Sequence, residues 1–152
     1  MVLESVELIK LTAEVGVSMD EHCDDVEVIS LNKHAWSVSV FSCRSHNSIC
    51  LGVLSRGEGL YHSPVTDFKH DDTRLTVTLG LLVDSDNATL HVIRVDDNTV
   101  VRSIPNIDVS GPLMPMFGVD DRRYSDVKMK ISSGPDLSVN RELLVLLSSL
   151  IK

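Results

Sequence analysis

The sequence predicts an antiparallel all-β sandwich followed by a C-terminal α-helix, and three observations carry that reading. Leu75, Val77, Leu79, Leu81 and Val83 are apolar at every second position, the period of a strand with one buried face. Short strand-like segments then recur with turn residues between them, at the spacing of about 8–12 residues typical of a sandwich rather than of βαβ units. Finally, Arg141 to Lys152 places Leu143, Leu144, Leu147, Leu150 and Ile151 on one broad apolar stripe, with Val145 and Leu146 widening it, at helical spacing.

The central meander is the clearest part. The 75–83 strand ends in Asp84-Ser85-Asp86-Asn87, whose side chains bond their own backbone and tolerate left-handed φ. Thr89 to Val95 returns as a β-branched-rich strand, Asp96-Asp97-Asn98 makes the next turn, and Thr99 to Ile104 follows as a third strand. Upstream, Trp36, Val38 and Val40 share one face of a strand, with Ser37 and Ser39 on the other; Trp36 is expected in the core. Ile49 to Leu54 is an apolar run suited to a strand buried on both faces.

Downstream, Asp126 to Ser132 alternates, with Val127, Met129 and Ile131 against Asp126, Lys128 and Lys130. Leu3 to Glu14 fits either a short helix or two strand fragments. The tail helix has Asn140 or Ser138 available as its N-cap, and a stripe so apolar must dock on its own sandwich or on a partner. The organisation is thus a sandwich with an N-terminal extension over 1–133 and a docking helix over 134–152.

A chain of 152 residues is enough for one domain, and at that size folding buries about 68–70% of the unfolded surface. The formal charge of −8 argues against nucleic acid, where phosphates demand concentrated Lys and Arg, and against an anionic membrane surface. Three cysteines without a CxxC pair do not form a disulfide framework. With no signal-peptide pattern at the start, a cytoplasmic protein is expected.

Three stretches resemble the SPRY domain. His34-Ala35-Trp36-Ser37-Val38-Ser39-Val40 followed by Cys50-Leu51-Gly52-Val53-Leu54-Ser55 is similar to the family's Trp-Glu-Val-Glu-Val and Leu-Gly-Val strands. Leu79-Gly80-Leu81-Leu82-Val83-Asp84 through Leu90-His91-Val92 resembles its Gly-Val-x-Leu-Asp-Tyr hairpin. Ser110-Gly111-Pro112-Leu113-Met114-Pro115-Met116-Phe117 resembles its Gly-Pro-Leu-x-Pro-x-Phe stretch. The match spans residues 34 to 131 and departs from the pattern in places. Val92-Ile93 replaces the hairpin's Phe-Tyr, Ala88-Thr89 replaces its Gly, and no PRY motif precedes residue 34. The resemblance implies a bent, concanavalin-like β-sandwich that presents loops to a peptide or protein, as the substrate-recruiting module of tripartite-motif ubiquitin ligases does.

Chemistry finds less support. Structural zinc sites usually show pairs such as CxxC or HxxxH; the closest groupings here are His22-Cys23 and His46 with Cys50, so neither metal nor cofactor is expected. No nucleophile elbow or phosphate-cradling loop is present, and the acidic pairs fall in predicted turns. No enzymatic activity is expected of these residues. Binding is the better reading. Ser55 to Arg74 looks like a long connection with little strand character, offering Arg56, Tyr61, His62 and Lys69. A second loop, Gly118 to Ser125, offers Arg122, Arg123 and Tyr124. If the resemblance holds, these loops converge with His46 and Asn47 on one end of the sandwich. Basic loops on an acidic protein favour an acidic partner. The alternative function is a scaffold or homodimer built through residues 141–152.

Overall fold

The computed structural model describes residues 10–19, 28–43, 45–65, 76–119, 130, 132 and 139–151. Among them are eight strands and one α-helix. The strands are β1 (Lys10–Ser18), β2 (Ala35–Cys43), β3 (Ser48–Ser55), β4 (Glu58–Pro64), β5 (Leu79–Asp84), β6 (Thr89–Arg94), β7 (Thr99–Pro105) and β8 (Met114–Val119). The helix α1 is Arg141–Leu150. The chain divides into two compact units, one holding β1–β4 and β8, the other β5–β7 and α1. The fold is therefore antiparallel β with a C-terminal helix.

The first unit is a five-stranded sheet of order β4-β3-β2-β1-β8, antiparallel throughout. Its centre is β2, where Trp36 is 2% and Val38 0% exposed. The serine face of β2 is buried as well, which demands partners for its hydroxyls. Ser39 Oγ donates to Glu14 Oε1 at 2.9 Å, and the Ser30 backbone N–H donates to Glu14 Oε2 at 3.2 Å. A buried carboxylate thus fastens the 3-10 turn Ile29–Leu31 to the sheet. Strand β1 makes the end of the 3–14 segment, from Lys10 to Glu14, a strand, and residues 3–9 lie outside the described residues. Gly16 makes its pairing with β2 possible, since a Cβ there would lie 2.4 Å from the Trp36 carbonyl oxygen.

The predicted long connection at 55–74 needs correction, because β4 lies within it. Its residues, Glu-Gly-Leu-Tyr-His-Ser-Pro, have neither alternation nor β-branched content. Pairing with β3 supplies what propensity does not, and among the described residues β4 is an edge strand, where a terminal Pro64 costs no ladder bond on the open side. Arg56 (φ 54°) and Gly57 (φ 83°) form the two-residue link between β3 and β4. Positive φ at both central residues is the requirement of a type I′ hairpin turn, whose twist matches the strands.

The second unit contains the predicted meander, a sheet of order β5-β6-β7. Strand β6 buries Leu90, Val92 and Ile93, and β7 contributes Ile104. The expected turn chemistry is present: Asp84 accepts from the backbone N–H groups of Asp86 and Asn87 and from Asn87 Nδ2. Strand β5 begins later than the alternation suggests, at Leu79. The residue before it, Thr78, is held by the Val95–Asp97 turn instead, donating to Asp96 Oδ2 and accepting from the Val95 N–H. Leu75 lies outside the described residues, as does the 126–132 segment apart from Lys130 and Ser132, both exposed.

Helix α1 starts where its cap predicts, with Asn140 Oδ1 accepting from the Leu143 N–H at 2.7 Å. Asn98 Nδ2 donates to Glu142 Oε2 and ties the first turn to the β6–β7 connection. Of the apolar stripe, Leu143 is buried, while Leu144 and Val145 are 56% and 64% exposed.

Candidate functional site

The β2–β3 hairpin concentrates reactive side chains at one end. Register pairs Cys43 with Ser48 and Phe41 with Cys50, so both sulfurs stand diagonally on the same face of adjacent strands. The connecting turn is short, and Asn47 adopts a left-handed conformation (φ 47°) that an Asn tolerates well. That turn folds His46 back over the sulfurs. His46 Nδ1 lies 3.5 Å from Cys43 Sγ and 3.2 Å from Cys50 Sγ, and the three ligand atoms all fall within 4.8 Å of one another. Ser45 Oγ shares a hydrogen bond of 2.9 Å with Cys43 Sγ.

Strand β4 brings a second imidazole. His62 pairs with Gly52, two residues beyond Cys50, and therefore projects from the same face. Its ring centroid is 5.1 Å from that of His46, with the planes tilted by 47°. Gly52 leaves room for the phenyl ring, since a Cβ there would meet Phe41 Cε1 at 2.7 Å, and Phe41 is buried in one cluster with Cys43 and Cys50.

The two thiols are not equivalent. Burial pushes the Cys43 thiol up, but hydrogen bonds from Ser45, the His46 backbone, Cys50 and the His46 ring together outweigh it and bring the thiol down to about 7. Cys50 is pushed up to about 12 by complete burial and by the neighbouring Cys43. One proton shared between two sulfurs, with an imidazole beside them, describes a site able to hold a soft cation or to present a single thiolate at neutral pH.

The other residues singled out from sequence are dispersed. His46 and Asn47 sit in the exposed 45–47 turn, whereas Arg56 lies at the far end of β3, in the turn that leads to β4. The strand between them separates these positions, so the expected convergence of Arg56 with His46 and Asn47 is not what the register produces. Arg56 is engaged within the fold: its guanidinium stacks 5.6 Å from the Trp36 ring centroid, and its backbone N–H donates to the Ala35 carbonyl at 2.8 Å. Its charge also helps hold the Asp108 carboxyl below the usual range, after the hydrogen bonds from Ser110 that are the larger cause. Tyr61 is 39% exposed on edge strand β4, beside Leu60 at 41%. Lys69, Arg122, Arg123 and Tyr124 lie outside the described residues.

Sequence reasoning noticed His46 with Cys50 but left out Cys43 and gave His62 a partner-binding role. The signal was there as Cys-x2-His-x3-Cys, which spans the turn between β2 and β3. Reading it required the strand register, because Cys43 and Cys50 become neighbours only when β2 and β3 pair. Compared with known proteins, the chain matches no family model, no curated protein and no solved structure.

Proposed function

We propose that this protein is a non-enzymatic recognition module of SPRY type that binds a peptide or protein partner, acting as a substrate-recruiting part of a tripartite-motif-like ubiquitin ligase. The observation that carries the reading is the open edge of the five-stranded sheet. Among the described residues β4 has a strand neighbour on one side only, and it exposes Leu60 and Tyr61 there. An edge strand offers main-chain hydrogen bonds to an extended partner segment, and a half-exposed Tyr beside a Leu supplies the apolar anchor that interface hot spots favour. The antiparallel meander and the Leu-Gly-Val strand support the SPRY resemblance. The preference for an acidic partner rests on sequence, through Lys69, Arg122 and Arg123.

Quantitative capture from a cytosolic lysate tests the reading, with a Leu60→Ser/Tyr61→Ser variant shown by circular dichroism to be folded. A partner depleted at least about tenfold on the variant is the expected result, the size of one lost hot spot. Equal capture by both proteins overturns it.

A second reading, a scaffold that self-associates through its tail, is favoured by one observation: Leu144, Val145 and Ile151 are large apolar side chains left 49–64% exposed on or next to α1. Light scattering of the wild type beside Leu144→Lys/Val145→Glu distinguishes it, because a dimer lost in the variant is what a scaffold requires.

A further inference from the structure

We propose that Cys43, His46, Cys50 and His62 bind one zinc-class ion in a tetrahedral thiolate–imidazole site that fastens the 45–47 turn to edge strand β4. The inference stands apart from the recognition reading, since it concerns only how the five-stranded sheet is closed at this end.

Three geometric facts carry it. Zinc bound at ordinary Zn–S and Zn–N lengths sets tetrahedral sulfur-to-nitrogen and sulfur-to-sulfur edges of about 3.5–3.8 Å. The sulfur-to-nitrogen separations here are 3.5 and 3.2 Å, and no pair among the three atoms exceeds 4.8 Å, so small side-chain rotations bring the set onto an ion. Next, Cys43 and Cys50 are free thiols at diagonal positions of paired strands, not joined in a disulfide. Diagonal positions on paired strands put the Cα atoms about 7–8 Å apart, beyond the roughly 4.4–6.8 Å that a disulfide spans. An ion between two thiolates bridges the longer gap without moving the backbone. Third, His62 arrives from a different strand on the same face, with its ring centroid 5.1 Å from that of His46; its nitrogens stand outside the compact Cys43–His46–Cys50 set, so a rotation of the His62 ring toward the ion fills the fourth corner and links three strands.

The surroundings complete the case. Soft thiolates with imidazoles select zinc over the hard cations that prefer carboxylates. Two thiolates balance the ion's charge, and Ser45 Oγ beside Cys43 Sγ is a second-shell hydrogen bond of the kind that orients a ligating sulfur. Phe41, buried in one cluster with Cys43 and Cys50, gives the sulfurs an apolar neighbour. With four protein ligands the coordination is closed, so the ion's role is structural, stabilising the hairpin as closed zinc sites do.

The test uses the full chain, reduced and freed of metal, titrated with Co2+ and then Zn2+. One equivalent of cobalt producing a thiolate-to-cobalt charge-transfer band and tetrahedral d–d bands, both displaced by zinc, is the expected result. His46→Gln, whose side chain is exposed and should not disturb folding, and Cys50→Ser are each expected to weaken binding roughly 100-fold, and His62→Gln at least about tenfold. Cys23→Ser is expected to leave the spectrum intact. Absence of the charge-transfer band in the reduced wild type overturns the site. So does a band that persists unchanged in His46→Gln or His62→Gln, or one that is lost in Cys23→Ser. Far-UV circular dichroism of each metal-free variant separates lost ligation from lost fold.

Discussion

The five-stranded and three-stranded sheets are built from similar hairpins yet close themselves in different ways. Every pairing in the β5-β6-β7 sheet joins consecutive strands, so each contact is made by residues close in sequence. The larger sheet has three such links and then one distant pairing, β1 with β8, in which Val15 meets Phe117. It also buries more polar groups, with Glu14, Ser18, Asn32, Ser37 and Ser39 all nearly inaccessible, against Asp84 and His91 in the smaller sheet. A local meander is held by alternation and turn chemistry. A sheet closed by distant strands also has more buried polar groups to satisfy, as Glu14 is by Ser39 and the Ser30 N–H, and there a single substitution does more damage.

The sharpest way to break this contrast is to empty each core in turn. Trp36→Ala is expected to cost about 3–5 kcal/mol, since it removes a 2%-exposed indole and the platform under Arg56. Leu90→Ala in the smaller sheet is expected to cost about 2–5 kcal/mol. Urea denaturation followed by tryptophan fluorescence and circular dichroism measures the Leu90 variant. Circular dichroism alone serves for the variant without its indole. A smaller loss at Trp36 than at Leu90 would reverse the order proposed for the two sheets.

Gly16→Ala comes next. A methyl group driven within 2.4 Å of the Trp36 carbonyl must push β1 away from β2, and about 1–3 kcal/mol is expected. Because β1 is also the only partner of β8 among the described strands, the loss should exceed that at a turn glycine.

Two turn positions then bracket zero. Gly57→Ala makes only ordinary contact, with the Leu31 carbonyl oxygen at 3.6 Å, but must hold φ +83°, so a loss of about 1 kcal/mol is expected. Ala88→Gly, at φ 48° in the β5–β6 turn, should instead stabilise by about 0.4–1 kcal/mol. Opposite shifts in thermal midpoint check the pair.

The smallest effect is a pH dependence. Hydrogen bonds from the Asn87 side chain and backbone, with smaller help from the Asp86 N–H and His91, hold the Asp84 carboxyl below its ordinary value. The charged form is therefore favoured in the folded state. Its contribution is present above the ordinary carboxylate pKa and fades as pH falls through the lowered one. In acid titrations monitored by circular dichroism, Asp84→Asn should flatten this part of the stability curve and leave stability at neutral pH lower than in the wild type.

How much of this was legible in advance follows the same division. Alternation at Leu79, Leu81 and Val83, the Asp84 turn, the Trp36 strand and the Asn140 cap all act within a few residues, and each was readable in place. Strand β4 was not, because Glu58–Pro64 has no propensity of its own and becomes a strand by pairing with β3. Nor was the Cys43–His46–Cys50–His62 cluster, whose members lie on three strands and a turn and meet through register.

Taken by itself, the sequence determined the strand class, the meander and the helix, with its cap narrowed to Asn140 or Ser138, since periodicity and turn chemistry are properties of neighbours along the chain. Tertiary structure alone decided which strands pair across distance, which serines and which glutamate are buried, and where two thiols and two imidazoles converge. Those outcomes depend on strand register, and a shift of one residue would send Cys50 and His62 to the opposite face.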